Sequence, residues 1–267
     1  MSPPRPREAG SDAPARAAAG GLNGDRVSRQ FDVLELLVTH HEGMSVTEIS
    51  KRLELPISST HNLLQRLVSA DIVVVNDGPR YSVGTRLVRL AIRTVDGLEI
   101  GAVARRHLQE LARTVGDDVY LAVRLGNRVV YVERVPGTRS VTVDIRLGQA
   151  LFLHATAVGK LFAAYHPQLE KRMLTGEHRQ LTPHTLTDRD ELVAELAKIR
   201  VEHYSVSLEE SIVGVVGLAT PVMNTNNELT AALHISALRA HMDDARVLSA
   251  VAAAQNASRA IERDLGR

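Results

Sequence analysis

The chain has 267 residues, of which 44% are hydrophobic and 24% are charged, and its formal net charge is +1. This length suits one large domain or two ordinary ones, and the composition is typical of a soluble globular protein. A nearly neutral chain indicates no particular partner, so any affinity for nucleic acid must come from the local placement of charge. The absence of cysteine excludes disulfide bonds, thiolate zinc sites and cysteine nucleophiles. No apolar run approaches the roughly 20 residues of a membrane helix, so we expect a cytoplasmic protein with no membrane partner.

Residues 1–24 are rich in Pro, Gly, Ala and charge, and they lack the apolar core of a signal peptide. We expect them to form a disordered tail. A helix is predicted next, in DRVSRQFDVLELLVTHHEG, because apolar residues recur there at helical spacing and Gly43 follows the last turn. These apolar residues are Val33, Leu34, Leu37 and Val38.

Two more short helices are predicted in SVTEISKRLELPISSTHNLLQRLVSA. Ser45 and Glu48 have the spacing of a capping box, in which each side chain binds the free backbone N–H of the other residue. Pro56 interrupts the pattern because proline cannot continue a helix interior. Ser58 is then the expected N-cap of a third helix, which runs to about residue 70.

Strands are predicted over residues 72–75 and 80–83, on either side of the turn sequence NDGPR. Short helices with a tight turn between the second and third, followed by a hairpin, indicate a winged helix-turn-helix. A connecting helix is predicted over residues 85–94.

The third predicted helix has two different sides on a helical wheel. Leu63, Leu64 and Leu67 face the preceding helices, with Thr60 and Val68 beside them. The other side is polar and has no acidic residue, with His61 at its flank. Its residues are Ser58, Ser59, Asn62, Gln65, Arg66 and Ser69.

Asn and Gln can pair with adenine edges and Arg with guanine, so this side favours reading of the DNA major groove. The alternative is an amphipathic helix with a solvated face. Arg80 in the predicted wing is a candidate phosphate or minor-groove contact. The predicted DNA-binding residues are Ser45, Ser58, Ser59, His61, Asn62, Gln65, Arg66 and Arg80.

The second half of the sequence mixes helices and strands. A helix is predicted over residues 98–115, and VYLAVRLGNRVVYVERV predicts a hairpin because Gly-Asn is a strong two-residue turn. The alternation in RSVTVDIRL, through Val141, Val143 and Ile145, predicts a third strand. GVVGLATPV and LTAALHISAL predict two more strands around the turn NTNN. The remaining predicted helices cover residues 154–165, 167–174, 188–203 with Thr187 as N-cap, and 243–264.

Ordered blocks of the sequence resemble the IclR family of bacterial transcription regulators. They are RQFDVLELL, SVTEISKRLELP, SSTHNLLQRLVSADIV, RYSVGTRLVRL, LHATAVGKLFAA, LTPHTLTD and GVVGLATPV. The resemblance implies a winged helix-turn-helix that binds double-stranded operator DNA. It also implies a GAF-like or PAS-like effector domain, a homodimer or homotetramer, and small organic effectors such as carboxylates or aromatic acids.

We therefore predict an α+β protein whose C-terminal domain has a mostly antiparallel sheet. The predicted parts are a tail over residues 1–24, a winged helix-turn-helix over 25–84, a linker helix over 85–97, and an effector-binding and oligomerisation domain over 98–267.

The sequence departs from the family pattern at several positions. Ile57 and Asn62 replace frequent basic residues, which suggests a different operator or weaker nonspecific binding. In the family's G-x-x-C block, Gly217 stands in place of the cysteine. Ser207 aligns with a position upstream of this block that is often acidic in the family. The family's S-x-S strand reads His234-Ile235-Ser236 in this chain. The effector pocket that the resemblance implies is therefore expected to have more room near Gly217 and to contain the imidazole of His234.

The stretch HATAVGK, residues 154–160, is the first candidate for the effector site. Its small residues would let a ligand approach the backbone, and a helix that starts here would offer free N–H groups to a carboxylate. The alternatives are close helix–sheet packing, a core role for His234, and a structural role for His154 and Lys160. With what the resemblance implies, the predicted effector-binding residues are Ala157, Val158, Gly159, Ser207, Val215, Gly217, His234 and Ser236.

Two other classes of protein remain as alternatives. An enzyme of small organic acid metabolism would need a catalytic motif, and the sequence has no G-x-S-x-G, H-E-x-x-H, Walker loop or G-x-G-x-x-G. A ligand-independent architectural protein would not need a second domain of this size. We expect no cofactor, no metal site and no catalysis.

Overall fold

The computed structural model describes residues 22–76, 78–96, 99–139, 143 and 145–266. The chain divides into two compact units, the first ending at Arg93 and the second beginning at Thr94. Residues 1–21 of the predicted tail lie outside the described residues. Residues 22–24 belong to the first helix, so the predicted tail extends too far along the chain.

The first unit has the order of elements expected of a winged helix. In chain order its elements are α1 (Leu22–Thr39), β1 (Met44–Ser45), α2 (Val46–Arg52), α3 (Ile57–Ser69), β2 (Val73–Asn76) and β3 (Arg80–Val83), followed by α4 (Thr85–Asp96). β1 and β2 both pair with β3 in antiparallel register. The short strand β1 was not predicted, since two residues are too few to show an alternating pattern.

One small apolar core holds the first unit together. Val33, Leu37, Ile49 and Leu64 each have less than 2% of their surface exposed, and Tyr81 of β3 closes the core. A fully buried side chain of this size contributes about 1.5–3 kcal/mol. Because α3 supplies Leu64 to this core, its polar side must face outward.

One local prediction in this unit is wrong, and one apolar residue of the α1 pattern stays outside the core. Val38 has 50% of its surface exposed. Ser58 is not the N-cap of α3, because Pro56 takes that position and the helix begins directly after it. The fixed φ of proline suits a residue that ends an extended turn and leads into a helix. Ser58 therefore lies in the first helical turn, with its side chain exposed.

The second unit builds a five-stranded antiparallel sheet with helices on both faces. Its elements are α5 (Glu99–Val115), β4 (Asp118–Leu125), β5 (Arg128–Val135), α6 (Ala157–Tyr165), α7 (Pro167–Thr175), α8 (Arg189–Glu202), β6 (Ser205–Leu208), β7 (Val215–Met223), β8 (Leu229–Leu238), a 3₁₀ turn (Arg239–His241) and α9 (Asp244–Asp264). The strand order is β5-β4-β8-β7-β6. The predicted α+β architecture with an antiparallel sheet is confirmed.

The two faces of this sheet carry separate cores, because side chains alternate along each strand. Val119 and Leu121 of β4 pack in the core shared with α5 and α9. Tyr120 and Ala122 point to the other face, where α6, α7 and α8 pack. The face beneath α6 is the one that carries the predicted effector residues.

Several helix and strand boundaries in the second unit differ from the predicted ones. The described residues of RSVTVDIRL lie outside the strands, and Val141 is among those outside the described residues, as are residues 140, 142 and 144. Helix α6 begins at Ala157 rather than at residue 154, because Thr156 caps it. Asp188, not Thr187, caps α8, since its carboxylate accepts from the N–H groups of the following turn. Strand β6 was missed.

Throughout the described part of the chain, no helix combines the length and the apolar character that a bilayer crossing requires.

Candidate functional sites

The first candidate site is the outward side of α3. Thr60, Leu64 and Leu67 are buried against the rest of the unit, as predicted. The polar residues on the other side are all exposed. They are Ser58, Ser59, His61, Asn62, Gln65, Arg66 and Ser69. No Asp or Glu occurs between Ile57 and Ser69, so this surface does not repel phosphate.

Ser45 and Arg80 were predicted as DNA contacts, and the structure engages both within the protein. The Ser45 hydroxyl accepts from the N–H of Glu48, and the Glu48 carboxylate accepts from the Ser45 N–H at 2.7 Å, which confirms the capping box. Arg80 donates to the Gly43 carbonyl at 2.7 Å and lies 3.4 Å from the Glu48 carboxylate. These bonds attach the wing to the start of α2.

The carboxylate of Glu48 connects these two groups. Its pKa is lowered, first by the backbone N–H of Ser45, then by the Ser45 hydroxyl and also by Arg80. Arg80 therefore positions the wing, a role that sequence reasoning missed because its partner Gly43 is 37 residues away.

The second candidate site is the face of the large sheet beneath α6. Strand register places Ser205, Ala219, His234 and Tyr120 side by side in one row across four strands. The neighbouring row contains Ser207, Gly217, Ser236 and Asp118. The predicted residues Ser207, Gly217, His234 and Ser236 are thus brought together on one buried face.

Three polar atoms in these rows are buried and lack a hydrogen-bond partner in the part of the chain that the structure describes. His234 Nδ1, Ser236 Oγ and Ser205 Oγ make no hydrogen bond to any described residue. Burial lowers the pKa of His234 to about 3, and the neighbouring backbone of Leu218 opposes this only in part. The imidazole is therefore neutral at physiological pH and offers hydrogen bonding rather than charge.

Aromatic rings surround His234 on the side of β4 and β5. The ring of Tyr131 lies 5.2 Å from the imidazole and 4.9 Å from the ring of Tyr120, measured between centroids. Tyr120 also donates to the Val143 carbonyl at 3.0 Å. These two tyrosines were not among the predicted site residues, although the alternation in DVYLAVRL places Tyr120 on the same face as Asp118.

The expectation of extra room beside Gly217 is wrong. A Cβ atom added at Gly217 would lie 2.9 Å from His234 Cε1 and 3.6 Å from the Cβ of Ala157. The imidazole therefore occupies the space that the missing side chain leaves. Gly217 and His234 are coupled by size, since the ring fits only because position 217 is glycine.

Helix α6 lies over this face and begins at the predicted HATAVGK stretch. Thr156 Oγ1 accepts from the Gly159 N–H at 3.0 Å, which leaves the N–H groups of Ala157 and Val158 without an intrahelical partner. Gly159 itself packs on the chain, because a Cβ there would lie 2.5 Å from the Phe152 carbonyl oxygen. Gly159 therefore serves close packing against residues 152 and 153, rather than the predicted packing of the helix on the sheet.

Other residues of the predicted site are already engaged or lie at its edge. The Ser207 hydroxyl donates to the Ala155 carbonyl at 2.9 Å. Val215 is partly buried at the start of β7, on the same face by register. His154 binds the Arg179 carbonyl at 3.0 Å, a structural role.

Lys160, the buried cation in α6, is already bound by protein groups and is not available to a ligand. Lys160 is fully buried, and its ammonium group donates to Glu210 at 2.7 Å, to the Val206 carbonyl at 2.9 Å and to Glu195 at 3.0 Å. A ligand carboxylate here would rely on backbone N–H groups and neutral donors.

The winged helix with its acid-free outward helix places the protein in the class of DNA-binding transcription regulators. A family model described as the IclR helix-turn-helix domain matches residues 27–77, and one described as bacterial transcriptional regulator IclR C-terminal matches residues 92–263. The chain belongs to the IclR family of bacterial transcription regulators.

Individual relatives agree with this assignment over nearly the whole chain. The HTH-type transcriptional regulator XynR of Escherichia coli (strain K12) is 32% identical over 243 residues, which is 90% of this chain and 96% of XynR. The crystal structure of the Thermotoga maritima IclR has a TM-score of 0.78 and 26% identity, covering 91% of this chain and 100% of that one. An IclR homolog from Microbacterium hydrocarbonoxydans, crystallised with 4-hydroxybenzoate, has a TM-score of 0.76 and 25% identity, covering 90% of this chain and 98% of its own.

Proposed function

We propose that this regulator binds operator DNA through α3 and that a small organic acid, bound between α6 and the sheet, alters that binding. The observation that carries the effector site is the pair of buried atoms His234 Nδ1 and Ser236 Oγ, which have no partner among the described residues. A buried polar group without a partner costs about 1–3 kcal/mol. A ligand that bonds both atoms removes this cost when it binds.

The surroundings favour an aromatic carboxylate. The rings of Tyr120, Tyr131 and His234 form an aromatic cluster that suits the flat body of such a ligand. The first-turn N–H groups of Ala157 and Val158 suit its carboxylate. The 4-hydroxybenzoate in the related structure supports the same ligand class.

Calorimetry with 4-hydroxybenzoate, benzoate and a set of aliphatic acids tests the effector site. We expect an aromatic acid to bind the wild-type protein, and Ser236→Ala to weaken it by about 0.5–1.5 kcal/mol, roughly 2- to 13-fold in Kd. Ser249→Ala is the matched control, because Ser249 is exposed on α9. If folded wild-type protein binds none of the acids, or if both variants lose the same amount of affinity, the result would count against this site.

We propose that the protein acts as a homo-oligomer with α4 as the linker helix. Two winged units must match half-sites about one helical turn of DNA apart, or a multiple of this. A ligand that binds one arrangement of the effector domains better than another shifts the population toward it, and only its differential affinity counts. A change in that arrangement would alter the spacing of the winged units.

Gel shifts with DNA from upstream of the protein's own gene, with and without bound acid, test this coupling. Inserting three residues into α4 should abolish operator binding and leave acid binding unchanged. Operator affinity that survives the insertion would refute rigid coupling through α4.

Enzymatic activity is the alternative function. The relatives are named as transcription regulators, and we propose that this protein binds its effector in the cytoplasm without converting it. Incubating the bound acid with the protein and following it by chromatography tests this, since any turnover would identify an enzyme. An architectural DNA-binding protein would shift the DNA but ignore every acid.

A further inference from the structure

We infer that the outward side of α3 is divided into two stripes, of which one grips a phosphate of the DNA backbone and the other reads bases. This inference rests on the proposed DNA-binding function. It starts from a cleft of about 240 Å³ beside α3. The residues that line the cleft are Arg26, Arg29 and Gln30 of α1, Leu55 of the turn before α3, and Ser59, Asn62, Leu63 and Arg66 of α3.

The cleft brings together positive charge from two helices. Arg26 and Arg29 lie in the early turns of α1, and Arg66 lies in the last turn of α3. Among the described residues that line the cleft there is no Asp or Glu. An anion in the cleft would be attracted by the positive charges of Arg26 and Arg66, which line it from two different helices.

The polar groups in the cleft suit a phosphate in size and in chemistry. The volume far exceeds the roughly 30 Å³ that one water occupies in the liquid. Guanidinium groups bind phosphate oxygens in a bidentate manner, and the hydroxyl of Ser59 and the amide of Asn62 can donate to the same anion. A DNA phosphate protrudes from the backbone beside the groove, whereas base edges lie at the groove floor, out of reach of a recessed cleft.

Helical spacing separates the two stripes. Ser59, Asn62 and Arg66 are spaced three and four residues apart and line the cleft together. Ser58, His61 and Gln65 have the same spacing but lie about 100° further round the helix, given about 100° per residue. The structure therefore assigns base reading to the stripe Ser58, His61 and Gln65, and phosphate binding to the stripe of Arg66.

Fluorescence anisotropy of the full chain with two duplexes tests this division. One duplex has a mixed sequence, and the other comes from upstream of the protein's own gene. We expect Arg26→Gln and Arg66→Gln to weaken binding to both duplexes by the same factor. Each should also reduce the slope of the logarithm of the association constant against the logarithm of the salt concentration by about 1. Gln65→Ala should instead reduce the preference for the upstream duplex and leave the slope unchanged.

Arg89→Gln is the matched control, since Arg89 is exposed on α4 and does not line the cleft. If the salt-dependence slope of Arg26→Gln equals that of Arg89→Gln, the proposed binding of a DNA phosphate in the cleft would be overturned. A loss of sequence preference in Arg66→Gln would overturn it too, because Arg66 would then read a base. Failure of the wild-type protein to bind any duplex at low salt would instead refute the DNA-binding proposal itself.

A phosphorylated metabolite has the same chemistry as a DNA phosphate, and calorimetry with inorganic pyrophosphate distinguishes the two. Pyrophosphate binding that Arg66→Gln abolishes, with unchanged salt slopes for both duplexes, would assign the cleft to a free anion and overturn the DNA assignment. Weak or no pyrophosphate binding, together with the reduced salt-dependence slopes, supports binding of a DNA phosphate in the cleft.

Discussion

The ion cluster around Lys160 predicts a large and pH-dependent loss of stability when its lysine is removed. The ammonium group of Lys160 uses all three of its protons on Glu195, Glu210 and the Val206 carbonyl, at 2.7–3.0 Å. Replacing Lys160 with methionine keeps an unbranched apolar side chain but leaves Glu210, which is only 7% exposed, without its cation. Removing one partner of a buried ion pair costs about 3–5 kcal/mol.

The pH dependence follows from the carboxylate of Glu210. Burial raises its pKa above the ordinary value of 4.5, and Lys160 opposes that rise. A group whose pKa is raised by folding stabilises the protein below its unfolded pKa and loses that contribution as the pH rises through its folded pKa. Without Lys160 the pKa of Glu210 rises further, so the deficit of Lys160→Met should be small near pH 4.5 and grow toward neutral pH.

Urea unfolding followed by circular dichroism measures this loss at several pH values. Lys198→Met is the matched control, because Lys198 is exposed and lies 4.0 Å from Glu202, a surface pair worth about 0.3–0.5 kcal/mol. Adding Glu210→Gln to Lys160→Met should restore part of the stability, since a neutral amide is less costly to bury than a carboxylate. A deficit below about 1 kcal/mol at neutral pH, or one independent of pH, would refute this reasoning.

Substitutions at three further positions test single contacts. Ser45→Ala removes the capping box with Glu48 and should destabilise the winged unit by about 0.5–2 kcal/mol in thermal melts, whereas Ser45→Gly should cost only a few tenths. Gly43→Ala should cost at least about 1–2 kcal/mol in the same assay, because its φ of +73° is left-handed; an unchanged melting temperature would contradict this. Gly217→Ala should overpack His234 and cost about 1–3 kcal/mol in urea unfolding, together with weaker acid binding. Native stability and acid affinity in this variant would show that the imidazole moves aside freely.

Local patterns in the sequence were enough to predict most of the elements and the exposed polar side of α3. The side of α3 that faces outward follows from the positions of Leu64 and Leu67, since both belong to one helix. The Ser45 capping box and the turn at Gly126 are equally local, because each involves residues only a few positions apart. Boundaries failed where neighbouring residues compete for one role, as Pro56 and Ser58 do for the start of α3.

Contacts between distant parts of the chain were decided only by the tertiary structure. Three such contacts join separate elements. Arg80 donates to the Gly43 carbonyl, His234 fills the space beside Gly217, and residues of α1 and α3 line one cleft. The same holds for Lys160, whose acidic partners are 35 and 50 residues further along the chain.

By itself, then, the sequence determined the helices, most of the strands, the outward side of α3 and the family. The tertiary structure decided which polar side chains share the sheet face beneath α6 and which of them find no hydrogen-bond partner among residues 22–76, 78–96, 99–139, 143 and 145–266. The physical reason is that helical and strand periodicity depend on residues a few positions apart. A buried site instead depends on strand register and packing between segments whose relative placement no local pattern encodes.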